Sequence, residues 1–388
     1  MSNPFFKNHF FRPFNIITGI IIFVGIPLVF LRFTKGLGTV SNLSHYNPWG
    51  SWVGIDILTG VALSAGGYVT AAMVEIFGLK KYRHAFRPAI LAGFLGYALV
   101  VTALIIEVGR PWRLLFPFFV SSGLTSIKFE VAVCVSLYLI ILSLEFLPVA
   151  LEWLRLAKLR YYFLKIMPLL TIMGVLLSTL HQSSLGALLL IAPSKLHPLW
   201  YSSFIPLFFF ISSIAAGLSV VILLCALPFE KIISKSTYLL STSINDITIG
   251  FGRAAAWILA IYLIIKLSGV IIDGELALLI TPYGGWFLLE IIGFVLFPCF
   301  IYIYGVYKKK LLIIRLAALM TIVGIFLNRV NSSIIALNWH LLIELRYIPN
   351  WMEIGTTIFL MTVGAIIFRF IITRMPVFFE HEDFKQEH

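Results

Sequence analysis

The sequence predicts an all-α polytopic membrane protein of about ten transmembrane helices, and three observations predict it. Hydrophobic residues fill 60% and charged residues only 12% of the 388 positions, where a soluble globular chain carries about a quarter charged. The mean hydropathy is +1.00. Apolar runs of about 18 residues or more, each long enough for a hydrocarbon core of about 30 Å, recur along most of the chain. No Gly/Ser-rich or Pro-rich linker interrupts them, so residues 1–388 read as a single integral membrane domain.

Taken in order, helix 1 is expected over 14–32. It follows Lys7 and Arg12 without a small-residue cleavage site, which marks a retained helix rather than a signal peptide. Helices 2 and 3 are expected over 52–77 and 87–107. Their Gly60, Gly66, Gly67, Gly93 and Gly96 suit close helix packing rather than nucleotide binding. Helix 4 is expected over 129–149, helix 5 over 162–191 and helix 6 over 203–226. Helices 7 to 10 follow over 247–271, 284–306, 311–329 and 352–374, the ninth with room to continue past Arg329.

Charge orients the bundle. Of the 29 Lys and Arg, 20 fall at one set of alternate helix ends, eight at the other, and Lys266 lies inside helix 7. The positive-inside rule puts the richer side, with both termini, in the cytoplasm. The same rule explains the net charge of +12 as topogenic, so no nucleic acid is implied as a partner.

Gln182-Ser183-Ser184 near the end of helix 5 is echoed by Asn331-Ser332-Ser333 at the end of helix 9, with Val330 in the place of His181. The echo suggests two four-helix bundles in the same orientation, helices 2–5 (52–191) and helices 6–9 (203–338), flanked by helices 1 and 10.

This topology sorts the polar residues by depth. Asp56, Glu107, Arg110, Glu130 and His181 converge on the outer half of helices 2 to 5, and Tyr97 lies near mid-membrane, where its hydroxyl needs a partner. His181 is the one histidine inside a long apolar run. An ionisable group there costs a few kcal/mol or more and usually has a partner or a task. It suits a haem ligand, a quinone hydrogen-bond partner, a proton relay or a satisfied packing group. A lone intramembrane histidine cannot form the bis-histidine pair usual for haem b between helices, so no haem is expected in this chain. Arg110, three residues after Glu107, is placed to pair with it on one helix face. In the second half Lys266, Glu290, Arg329 and Arg346 with Glu344 also lie toward the outside, and Arg329, between Asn328 and Asn331, is the most site-like. Cys134, Cys225 and Cys299 sit in separate helices as core residues. No P-loop, GxSxG, HExxH or zinc spacing occurs.

A run of motifs carries a family resemblance: Gly36-Leu37-Gly38-Thr39-Val40-Ser41, Pro48-Trp49-Gly50, Asp56, Ala65-Gly66-Gly67, Arg87-Pro88-Ala89, Gly96-Tyr97, Val108-Gly109-Arg110, Phe129-Glu130, Leu144-Glu145-Phe146, His181 through Gly186 and His197-Pro198-Leu199-Trp200. In this combination and order the chain resembles the NrfD/PsrC superfamily, most nearly its ten-helix HybB branch, the membrane subunit of an uptake nickel-iron hydrogenase. The likeness covers nearly the whole chain and returns at Pro349-Asn350-Trp351-Met352-Glu353. It departs at Glu107, where Asp is expected, and at Pro111-Trp112.

The resemblance implies a haem-free, quinone-reactive subunit of a bacterial or archaeal inner membrane. It also implies an iron-sulfur ferredoxin-like partner at the outer (periplasmic) face, itself fed by a catalytic subunit. Menaquinone or ubiquinone would enter from the lipid. His181 would then bond the ring and exchange a proton, with Asp56, Arg110 and Gln182 orienting the ring. Glu130 would pass protons to the outer water, and Tyr97 would extend the relay inward. Two other classes use the same buried charges: a proton-coupled secondary transporter, and a plain membrane anchor of a redox complex.

Overall fold

The computed structural model describes residues 12–47, 49–120, 123–191, 193–227 and 237–378. Lys7, Pro48, Lys231, Lys235, Lys385 and the side chain of Arg12, used above, lie outside the described residues. Among the described residues ten helices are long and apolar enough to cross a membrane. They are α1 (Pro13–Lys35), α2 (Trp52–Ile76), α3 (Lys80–Glu107), α4 (Ile127–Trp153), α5 (Ala157–Leu190), α6 (Ile205–Leu224), α7 (Ile244–Ile272), α8 (Pro282–Tyr307), α9 (Leu311–Ile335) and α10 (Trp351–Arg374). No strand occurs among the described residues, only an isolated bridge between Leu196 and Leu337.

Every expected span is present, and the helices mostly extend beyond the apolar windows. The expected starts at 87 and 162 move back to Lys80 and Ala157, because Lys and Arg are good helix formers whose heads reach headgroup level while their stems stay apolar. At about 1.5 Å per residue, the 34 residues of α5 measure about 51 Å, more than a bilayer core. Helix α9 continues past Arg329 to Ile335.

Cross-chain bonds define two faces. Arg32 at the end of α1 donates to the carbonyls of Ile106 (2.5 Å) and Val108 (2.7 Å), placing a cation at the C-terminal end of α3. His197 N–H donates to Ala336 at 2.9 Å, and Asn338 Nδ2 donates to Tyr46 at 2.8 Å. The connections before α2, α4, α6 and α10 therefore share one face, here the long-loop face. On the opposite face Arg87 bonds Pro376 O at 2.9 Å and Glu152 at 2.9 Å, with Arg160 also 3.5 Å from Glu152. Thus α3, α4, α5 and the end of α10 are tied together there.

Neighbours follow the chain. From α2 to α5 each helix packs on the next, and α5 returns to α2; α6 to α9 do the same, α9 returning to α6. Helix α2 runs along α6. Gly66 and Gly217 let them approach, since a Cβ on Gly66 would sit 2.9 Å from the Gly217 carbonyl oxygen. Helix α1 lies on α10, and α10 on α3.

Candidate functional site

Helices α3 and α5 bring Tyr97 and His181 into direct contact, both 0% exposed. His181 Nδ1–H donates to the Leu177 carbonyl at 2.7 Å. In the neutral ring Nε2 is then the acceptor, and the Tyr97 hydroxyl donates to it. Tyr138 of α4 closes the third side, its ring centroid 4.7 Å from Tyr97 and 5.6 Å from His181. The Tyr138 hydroxyl and Ser178 Oγ, one turn before His181, are buried together there. Gln182 Nε2 donates to the Val61 carbonyl at 3.0 Å, joining α5 to α2.

The other expected residues sit nearer the long-loop face. Asp56 belongs to a wide-turn stretch, Trp52–Thr59, in which the backbone bonds run from i to i+5, a form frequent at functional sites. It accepts from Thr357 Oγ1 of α10 at 2.9 Å. Glu107, the last residue of α3, has Oε2 buried without a hydrogen-bond partner among the described residues and lies within electrostatic reach of Asp56 and Glu353. Glu130, exposed in the first turn of α4, accepts from Ser184 Oγ of α5 at 2.6 Å.

Arg110 does not complete this group. Val108 is extended (φ −65°, ψ 121°), so the helix ends at Glu107 and Arg110 leaves its face. It is exposed, and no ion pair joins it to Glu107 among the described residues. The expected residues therefore form two groups: a buried cluster of Tyr97, His181 and Gln182, and a pair of carboxyls, Asp56 and Glu107, nearer the long-loop face.

Two acids named from the sequence, Glu353 and Glu290, are hubs of hydrogen bonds that sequence reasoning did not foresee. Glu353 of α10, 1% exposed, accepts from Asn42 N–H (2.9 Å), Ser51 Oγ (3.1 Å), Asn350 N–H (3.3 Å) and the Tyr347 hydroxyl. Burial first, and then the bond to Glu353, raise the Tyr347 phenol above its usual range. The second hub is Glu290 of α8, 1% exposed on another wide-turn stretch, Leu289–Leu296. It accepts from Trp200 Nε1 (2.9 Å), Asn328 Nδ2 (2.6 Å) and Asn331 Nδ2 (2.5 Å). Asn328 Oδ1 in turn accepts from Arg329 at 2.8 Å, and Arg329 also bonds Ser212 Oγ at 2.7 Å and lies 3.6 Å over the Phe209 ring. Arg346 stays apart in its loop, bonded to Tyr283. Asparagines spaced at 328 and 331 around an arginine were the available signal for the Glu290 hub; its other donor, Trp200, comes from a distant connection.

Among the described residues no group of three His, Cys, Asp or Glu could hold a metal ion. Both ring nitrogens of His181 are engaged by protein groups.

The family model described as polysulphide reductase, NrfD, matches residues 39–335. A protein of Nitratidesulfovibrio vulgaris is 52% identical over 97% of each chain. The probable Ni/Fe-hydrogenase 2 b-type cytochrome subunit of Escherichia coli is 30% identical, covering 93% of this chain and 91% of its own. The integral membrane subunit of menaquinone reductase from Nitratidesulfovibrio vulgaris is 26% identical over 91% and 88%.

Proposed function

The chain belongs to the polysulphide reductase NrfD family, and from that premise we propose that it is the quinone-reactive membrane subunit of a respiratory oxidoreductase complex. It passes electrons between an iron-sulfur partner subunit, fed by a catalytic subunit, and the quinone pool. The names of the hydrogenase and menaquinone reductase relatives support a multi-subunit redox complex and favour menaquinone. In this reading 52–191 is the quinone-linked unit and 203–338 a second four-helix unit, a division supported by the neighbour relations of the helices. The long-loop face is periplasmic and the termini cytoplasmic; Lys80, Lys81, Lys158, Lys308, Lys309 and Lys310 at the opposite face support that orientation.

The observation that carries the reading is the Tyr97–His181 pair. A quinol releases two protons with two electrons, so its site needs acceptors and a route for protons. Glu107 Oε2 is a buried oxygen that accepts from none of the described residues, and one oxygen of Asp56 accepts from Thr357. These two carboxyls suit the hydroxyl end of a quinol. Deeper in the bundle, Tyr97 donates to the histidine. A proton reaching its oxygen lets the hydroxyl pass its own to His181 Nε2, while the Leu177 carbonyl holds Nδ1–H and fixes the tautomer. Gln182 holds α5 against α2 and keeps this geometry. His181 thus works through Tyr97 rather than on the ring. Glu130, exposed at the rim, exchanges protons with the outer water and is bonded on its inner side by Ser184 of α5. Arg110, exposed beyond α3, contributes positive charge at the face where the partner docks. With both His181 nitrogens engaged, the chain offers haem no free axial nitrogen here.

Purification in mild detergent with identification of the associated chains tests the assignment. An iron-sulfur subunit in the complex, and saturable binding of a quinol-analogue inhibitor weakened by Glu107→Gln, are expected. A chain that assembles with redox partners yet binds no such inhibitor is a plain anchor, and proton-driven uptake by the isolated chain in liposomes marks a transporter.

A further inference from the structure

The connection between α3 and α4 exposes more apolar surface than a water-facing loop tolerates. Trp112 and Phe119 are 72% and 81% exposed, and Leu115, Phe116, Val120 and Leu124 are exposed beside them. Pro111–Arg113 and Phe116–Phe119 are short helical turns, and the second packs on α4. The inward residues are apolar as well, with Leu114, Pro117 and Phe118 half-buried. A stretch that is apolar on every side needs cover from outside as well as from the bundle.

Depth decides what supplies that cover. Helices α3 and α4 have 28 and 27 residues, about 42 and 40 Å at 1.5 Å per residue. The hydrocarbon core is about 30 Å thick, and the bilayer with its headgroups about 40–45 Å. The helix ends, and the stretch that joins them, therefore lie in the headgroup layer. The spans on either side also turn apolar residues outward: Ile105 of α3, and Leu137 and Ile140 of α4. Charge points the same way. Arg113 and Lys128 are exposed and form no ion pair with a described residue. Arg113 lies 5.3 Å over the Phe116 ring. Lys128 stands in the first turn of α4, where the helix dipole disfavours a cation, and Glu130 of that turn is bonded to Ser184. An anion outside the chain satisfies both cations. A tryptophan beside cations at this depth suits a chain seated among phospholipid headgroups.

We propose that the connection between α3 and α4 is a binding segment for anionic phospholipid. Trp112, Phe116 and Phe119 enter the boundary between headgroups and acyl chains of the leaflet at the long-loop face. Arg113 and Lys128 hold the phosphates. The segment keeps this role whichever redox reaction the chain serves, because it follows from the spans alone.

Tryptophan fluorescence of the full chain in lipid nanodiscs tests this. The emission of Trp112 is the part that Trp112→Phe removes. The discs mix phosphatidylcholine with phosphatidylglycerol. Bromine, which quenches on contact, is carried by one lipid or the other, near the headgroup or near the end of the acyl chain. Bromine near the headgroup of phosphatidylglycerol is expected to remove most of the Trp112 emission. The same label on phosphatidylcholine, or at the chain end, removes less. Replacing both cations, Arg113→Gln with Lys128→Gln, abolishes the preference for phosphatidylglycerol while quenching persists. Emission untouched by bromine on either lipid overturns the proposal, and so does equal quenching by the two lipids in the unaltered chain. Quenching that disappears when the purified complex with its partner subunits replaces the isolated chain also overturns it, since a protein then covers the stretch.

Discussion

The ends of α5 and α9 carry the same short polar signature, Gln182-Ser183-Ser184 and Asn331-Ser332-Ser333, but the two regions solve the burial of polar groups in opposite ways. Around His181 the groups are neutral hydrogen-bonding rings: Tyr97 on the histidine, Tyr138 beside them, and Gln182 on a backbone carbonyl. Around Glu290 they are fixed charges bridged by amides, with Asn328 standing between Glu290 and Arg329. A neutral relay can change protonation with little rearrangement, because no salt bridge must break. A bridged charge pair holds helices in register and resists change. The contrast suits the first region to the proton handling proposed above and the second to architectural stiffness.

The sharpest way to break that contrast is to remove Arg329. Arg329→Ala strands Glu290 and Asn328 in an apolar interior and is expected to cost about 3–5 kcal/mol, as breaking a buried pair does. A large drop in melting temperature and in the yield of monodisperse protein should follow. Unchanged stability would show the charges are not architectural.

Tyr97→Phe tests the other side. It removes the hydroxyl on His181 Nε2 while keeping the ring, which leaves one buried acceptor unpaired, so stability should fall by about 1–3 kcal/mol. Quinone-linked turnover of the assembled complex should fall at least tenfold, within the about 10²–10⁴-fold worth of a positioned proton-transfer group. A stability loss as large as that of Arg329→Ala, with turnover kept, would reverse the two assignments.

The smallest effect concerns the seam between the halves. His197 stands outside the spans, its ring 4.5 Å from Tyr283 and 4.9 Å from Trp339, and burial lowers its pKa below the usual 6.5. Protonation therefore favours the unfolded chain, and its contribution is full above about pH 6.5 and lost as the pH falls. Melting temperature should decline slightly between pH 7 and 5, and the decline should be shallower in His197→Gln.

The ten spans were legible because hydrocarbon demands long apolar helices and little else satisfies the backbone. Their ends were less so, since Lys158 and Arg160 belong to the start of α5 although they lower its hydropathy. His181 was legible from its cost alone. Its direct bond to Tyr97 was not, because rotation about each helix axis, and not depth, decides which side chains meet. The Glu107–Arg110 pairing failed at Val108, whose extended backbone ends the helix before the i+3 position exists. Glu290 was visible only as a buried acid. Its three donors arrive from α9 and from Trp200, and the wide turn that presents it leaves no local sequence mark.

The central claim is that redox-linked proton transfer runs through His181. It is tested most directly by quinone-linked turnover of the purified complex carrying His181→Ala, with assembly checked by the retained partner subunits. The account predicts an assembled complex whose catalytic partner still reacts with artificial dyes but whose quinone-linked turnover is lost. Full quinone-linked turnover in that complex would contradict it.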